Sequence, residues 1–172
     1  MKQYILSAAS ILLCTQMFTA AALTACSDEE HDMTYPTISG GDDFNPVNCQ
    51  NYHPGDTIAF RAIFSDNEAL GNYNIEVHSN FDHHSHSTEA DADGHEEYDC
   101  DEDDEQHAEP DTEHQAWIYN QSFSIPAGQV RYNASVDIAI PTDIACGLYH
   151  FMVRLTDNAG WQQLKSVSIR IS

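Results

Sequence analysis

Between Phe81 and His114 the chain carries six histidines, His83, His84, His86, His95, His107 and His114, together with fifteen Asp or Glu side chains. No Lys or Arg occurs from Ala62 to Val130. Imidazoles and carboxylates concentrated without competing cations make a local trap for divalent metals. Four histidines stand outside this stretch, His31, His53, His78 and His150. His78 and His150 each lie in a run of alternating apolar residues, and if those runs are antiparallel neighbours the two imidazoles leave the same sheet on the same face. Directly opposed side chains have Cβ atoms about 4.5–5.5 Å apart, which lets two rings share one ion at Zn–N distances of about 2.0–2.1 Å. His83, His84 and His86 follow His78 closely enough to fold back, and an extended His-x-His pair can put both rings on one side.

The expected ligand set is therefore His78, His150, His83, His84 and His86. His95, His107, His114 and Cys100 are auxiliary candidates, since isolated histidines in an acidic loop are usually only solvated. Zinc is the first expectation, with copper or nickel as other imidazole-binding ions. Affinity should fall below about pH 6, because imidazoles with a reference pKa of about 6.5 then take up protons. Calcium on the carboxylates is a weaker reading: the segment from Asp91 to Asp99 begins Asp-x-Asp-Gly but lacks the twelve-residue ligand spacing.

Beyond Cys14 and Cys26 near the start, the cysteines are Cys49, Cys100 and Cys146. Outside the cytoplasm the default is a disulfide. Cys49 precedes the second expected strand and Cys146 the sixth, at one end of the expected fold, so the favoured pair is Cys49 with Cys146. Cys100 would then be the odd thiol. Its neighbours Asp99 and Asp101 oppose a thiolate by like charge, which a bound dication would reverse. The alternative is a bond from Cys100 to Cys49 or Cys146 that pins the loop.

The elements that must position these groups read as strands. Pro36–Ile38, Thr57–Phe64, Tyr73–His78, Trp117–Ile125, Arg131–Ile140, Leu148–Leu155 and Leu164–Ile171 alternate or carry strand composition, with turn chemistry at Ser65–Glu68 and Asp157–Gly160. In the sixth run Tyr149, Phe151, Val153 and Leu155 face inward, and His150, Met152 and Arg154 outward. No helical periodicity competes. The expected fold is all-β, an immunoglobulin/fibronectin-like seven-stranded sandwich with a long disordered acidic His-rich insertion over residues 81–115. In such a sandwich the third and sixth strands are antiparallel neighbours, which brings His78 beside His150.

The N-terminus has Lys2 ahead of an apolar run from Tyr4 to Leu23, a secretory layout. Leu23-Thr24-Ala25-Cys26 resembles the lipobox of bacterial lipoproteins. The resemblance implies a signal peptide over residues 1–25, lipidation of Cys26, a tether over 26–35 and a domain over 36–172. Ser27-Asp28-Glu29-Glu30 resembles the export signal of Bacteroidota surface lipoproteins, which implies a protein anchored by lipid to the outer membrane and exposed at the cell surface.

Ile75-Glu76-Val77-His78, Ile140-Pro141, Gly147-Leu148-Tyr149-His150-Phe151 and Thr156-Asp157-Asn158-Ala159-Gly160 resemble small Bacteroidota lipoproteins classed as domain of unknown function 4625. The resemblance implies the sandwich fold and the location, and places His78 and His150 at matching histidine positions. The family pattern also favours histidine in the strand before Ile140, where this chain has Tyr132 and Asn133, so loop histidines would have to complete a site.

A formal charge of −22 argues against a nucleic-acid partner, because repelled phosphates release no counterions to a favourable end. No nucleophile elbow, phosphate loop or His-Glu-x-x-His helix occurs, so an enzyme is not expected. Two functions remain. One is a surface module that binds divalent metal ions; the other is an adhesion or scaffold module that binds a protein, such as an outer-membrane protein, or a glycan, with the acidic loop as spacer.

Overall fold

Runs of alternating apolar residues form strands because a pleated chain facing a second sheet buries every second side chain. The computed structural model describes residues 31–81, 100 and 113–172, all within the unit His31–Ser172. Its strands are β1 (Thr37–Ile38), β2 (Gln50–Tyr52), β3 (Thr57–Ser65), β4 (Leu70–Ser79), β5 (Tyr119–Ser124), β6 (Arg131–Ala139), β7 (Gly147–Asp157) and β8 (Gln162–Ile171). They form a three-stranded sheet, β1-β3-β6, and a five-stranded sheet, β2-β8-β7-β4-β5. The fold is the expected β-sandwich, with eight strands among the described residues where seven were expected. The additional one is β2, a short edge strand parallel to β8, inside the stretch Gly40–Gly55 that reads as turns.

The core lies between the sheets. Ile58, Phe60 and Phe64 of β3 face Ile75 and Val77 of β4 and Tyr149, Phe151, Val153 and Leu155 of β7, all with no accessible surface. Phe60 sits at its centre, with ring centroids 5.7 Å from Phe151 and 5.9 Å from Phe44. Truncating such a ring to Ala costs about 3–5 kcal/mol.

The outer face of β7 departs from expectation. Alternation sends His150 and Met152 away from the core, yet they are only 1% and 8% exposed. Their neighbours on β8, Ser168 and Ser166, are buried too. β7 is therefore a nearly continuous buried run, interrupted on this face by exposed Arg154 and partly exposed Thr156.

The expected tether also ends sooner than its composition implies. The Trp161 indole N–H donates to the Asp32 carbonyl at 2.7 Å, and Tyr35 packs on the Trp161 ring at 4.8 Å. Residues 32–35 are thus docked on the sandwich beside the turn between β7 and β8. The signal peptide, Cys26 and its acidic neighbours lie outside the described residues.

Candidate metal centre

β4 and β7 pair antiparallel, and the register sets His78 directly opposite His150. Their ring centroids are 5.5 Å apart, with the planes at 59°. The two side chains differ in access: that of His78 is 19% exposed, whereas His150 is enclosed in the sheet. Glu76, two residues earlier on the same face of β4, brings Oε1 to 3.1 Å from His78 Nδ1. Sequence reading passed over Glu76. The period-two spacing Glu76-Val77-His78 was the signal that could have found it, because it puts both polar side chains on one face.

The insertion is held at this end of the sheet at three places. At its start, the Phe81 ring packs edge-on against Tyr149 at 5.4 Å and crosses Gly147, where an added Cβ would come 2.5 Å from Phe81 Cε1. Gly147 has φ +145°, so a side chain would be strained there in any case. At its end, Gln115 O accepts from Ala145 N at 3.0 Å. Trp117 N donates to the Tyr149 hydroxyl, which itself donates to Ala145 O at 2.6 Å. Burial pushes the Tyr149 phenol up from its ordinary range, and the Trp117 N–H opposes that only in part.

The third hold is a disulfide, and it corrects the expected pairing. Cys49 is bonded to Cys100, with Cα atoms 5.5 Å apart, and Cys146 remains a thiol. Cys49 N donates to Ser168 O at 2.8 Å, which places the bridge beside the β8 residue that faces His150. Cys49 and Cys146 do lie toward one end of the sheet, but the insertion supplies the nearer partner. A disulfide sulfur offers no thiolate, so Cys100 also leaves the set of auxiliary ligands.

The expected ligands divide accordingly. His78 and His150 are brought together, while His83, His84, His86, His95 and His107 lie outside the described residues. His114 Nε2 lies 3.2 Å from Asp143 Oδ1 in the connection before β7. Among the described residues no third His, Cys, Asp or Glu joins the His78–His150 pair; the one group of three is Asp32, Asp66 and Asp157, elsewhere in the fold.

A family model matches residues 24–172. The chain belongs to the family described as domain of unknown function DUF4625. The His78–His150 pair and the turn from Asp157 to Gly160 both fall within the DUF4625 match. No curated protein matches this DUF4625 chain. Among solved structures, the crystal structure of Spo0M, a sporulation control protein from Bacillus subtilis, is similar at TM-score 0.36 and 9% identity. The similarity covers 80% of the DUF4625 chain and 49% of Spo0M, so the chain spans about half the length of that protein.

Proposed function

We propose that this protein is a lipid-anchored module of the outer-membrane surface that binds a divalent transition metal, zinc first and copper or nickel as alternatives. The observation that carries the reading is the 5.5 Å separation of the His78 and His150 rings. Two imidazoles bound to one tetrahedral ion at about 2.0–2.1 Å have centroids about 5 Å apart, so small side-chain adjustments suffice. Glu76 beside His78 Nδ1 makes Nε2 the ligating nitrogen, with the carboxylate orienting the ring from behind. His83, His84 and His86, within eight residues of His78 in sequence, complete the coordination. The remaining carboxylates of the insertion attract cations weakly and non-selectively. Localisation rests on Leu23-Thr24-Ala25-Cys26 and the acidic residues after it.

Isothermal titration of the purified protein with Zn²⁺ at neutral pH tests this. One site that is lost in His78→Ala, and weakened when His83, His84 and His86 are all replaced by Ala, is the expected result. The absence of that site would leave the adhesion or scaffold reading. What favours that second reading is β5, an edge strand preceded by Ile118, which is 74% exposed; a free edge can accept a partner strand.

A further inference from the structure

At the opposite end of the β4–β7 ladder three carboxylates converge. Asp32 precedes β1, Asp66 begins the turn between β3 and β4, and Asp157 is the last residue of β7. One oxygen from each lies within 4.8 Å of the other two. Each side chain also accepts hydrogen bonds from its own surroundings. Asp157 Oδ1 accepts from Gly160 N and Trp161 N at 2.6 and 2.8 Å. Asp66 Oδ2 accepts from Glu68 N and Ala69 N at 2.9 and 2.8 Å. Asp32 Oδ1 accepts from Thr34 N and from the Asn67 amide at 2.9 and 3.0 Å.

These turn bonds leave the second oxygens unaccounted for. Asp157 is 4% exposed, and its Oδ2 is buried with no hydrogen-bond partner; Asp66 Oδ1 is buried in the same state. Among the described residues no Lys, Arg or His forms an ion pair with any of the three. Three clustered carboxylates repel one another, and a buried carboxylate oxygen without a donor or counter-charge is costly. A cation removes both penalties at once.

We infer that Asp32, Asp66 and Asp157 form a calcium site that staples the segment before β1 to the turns β3–β4 and β7–β8. The donor set is all oxygen, which selects a hard cation and disfavours zinc or copper. Calcium binds oxygens at about 2.3–2.6 Å, so it can bridge atoms up to about 5 Å apart without moving them, and it tolerates irregular geometry completed by water. Magnesium requires a tighter octahedron. The surroundings hold the ligands in place. Gly71 lets β4 approach β7 where a Cβ would come 2.8 Å from Asp157 O, and the Trp161–Asp32 hydrogen bond fixes the backbone of the third ligand.

The test is thermal unfolding of the whole protein, stripped with chelator and titrated with CaCl₂. Because the acidic insertion also takes up cations, the readout is the difference between the natural chain and the variants Asp32→Asn and Asp66→Asn. Asparagine keeps an acceptor for the turn N–H groups, and Asp32 lies on the partly exposed segment, so both variants retain the fold. Calcium with a Kd on the order of 0.1–1 mM, as in extracellular modules, should raise Tm by roughly 5–10 °C at saturation. Each variant should abolish the rise. No shift by about 10 mM calcium, or an undiminished shift in both variants, overturns the site; an equal shift with magnesium overturns its assignment to calcium.

Discussion

The two ends of the β4–β7 ladder offer opposite chemistry on the same pair of strands. Leu70 faces Asp157 at one end and His78 faces His150 at the other, roughly 26 Å apart at about 3.3 Å per residue. The first end gathers carboxylates from three turn or terminal segments and fits a hard cation. The second gathers imidazoles from strand interiors and fits a softer one. A glycine permits close approach at each, Gly71 beneath Asp157 and Gly147 beneath Phe81. The difference is in how the ligands are supplied. Turns deliver the carboxylates as a by-product of capping their own backbone, whereas the ladder register alone delivers the histidines.

The sharpest way to break the comparison is to release one end and leave the other intact. The Cys49–Cys100 bridge closes a span of 51 residues, for which loss of loop-closure entropy in the unfolded chain predicts about 4 kcal/mol of stabilisation. Replacing both cysteines by Ser should lower stability by about that much in urea unfolding, and should weaken zinc binding by freeing the insertion. Calcium binding at the other end should survive in the folded protein. Cys146→Ser serves as the control and should change stability by no more than about 0.5 kcal/mol. Equal losses from both replacements would mean that the bridge does not constrain the chain.

Next in size is a crossed pair of substitutions. His78→Ala removes one of two ligands from the sheet and should weaken zinc at least about a hundredfold, with little change in Tm because the side chain is partly exposed. Asp66→Asn should leave zinc affinity unchanged. Sites this far apart with no shared partners behave additively, so the double variant should show the sum of the two effects. Coupling beyond about 0.5 kcal/mol would show that the ends communicate through the strands.

A third perturbation should affect both ends alike, because it acts on the core between them. Burial, helped by the neighbouring Tyr132 and Tyr119 phenols, pushes Tyr73 up to about 12, and burial also raises Tyr52, Tyr119 and Tyr149. These acids are neutral when protonated and their folded pKa exceeds the unfolded value of about 10. Their contribution to stability is therefore complete below about pH 10 and is lost as pH rises toward about 12. Absorbance titration at 295 nm should show Tyr52, Tyr73, Tyr119 and Tyr149 ionising together with unfolding. Ionisation of Tyr73 near pH 10 in a protein that remains folded would contradict its burial.

Much of the imidazole end was legible in the sequence. Alternation fixed the faces of β4 and β7, and the usual neighbour relation in a sandwich placed His78 against His150 to the residue. What alternation cannot convey is whether the second face of a sheet is covered, so His150 and Met152 were expected in solvent and are buried. The disulfide was misread because cysteine spacing carries no information on where a long insertion returns. Cys100 reaches Cys49, in the turn just before β2, a strand itself hidden among turn residues. The carboxylate end was illegible for a different reason. Asp66 and Asp157 look like ordinary turn formers and do act as such; only the fold brings them together, and Asp32 lies in a segment whose composition suggests a tether. The loop histidines proposed to complete the zinc site, His83, His84 and His86, fall outside the described residues.

The finest distinction concerns Glu76. Its carboxylate lies 3.1 Å from His78 Nδ1, the position of a group that orients a ligand from behind without touching the metal. Removing such a partner typically costs about 10–100-fold in metal affinity. Glu76→Gln keeps the shape and an acceptor oxygen but removes the charge, so the lower limit, about tenfold, is expected, with Tm unchanged in the absence of metal. The size of the loss assigns the role. A loss as large as that from His78→Ala would make Glu76 a direct ligand, which would shift the imidazole end toward the oxygen chemistry of the other. No loss would mean that strand geometry alone orients His78. An intermediate loss, confined to zinc and absent for calcium, would separate a ring held by its neighbour from carboxylates held by their own turns.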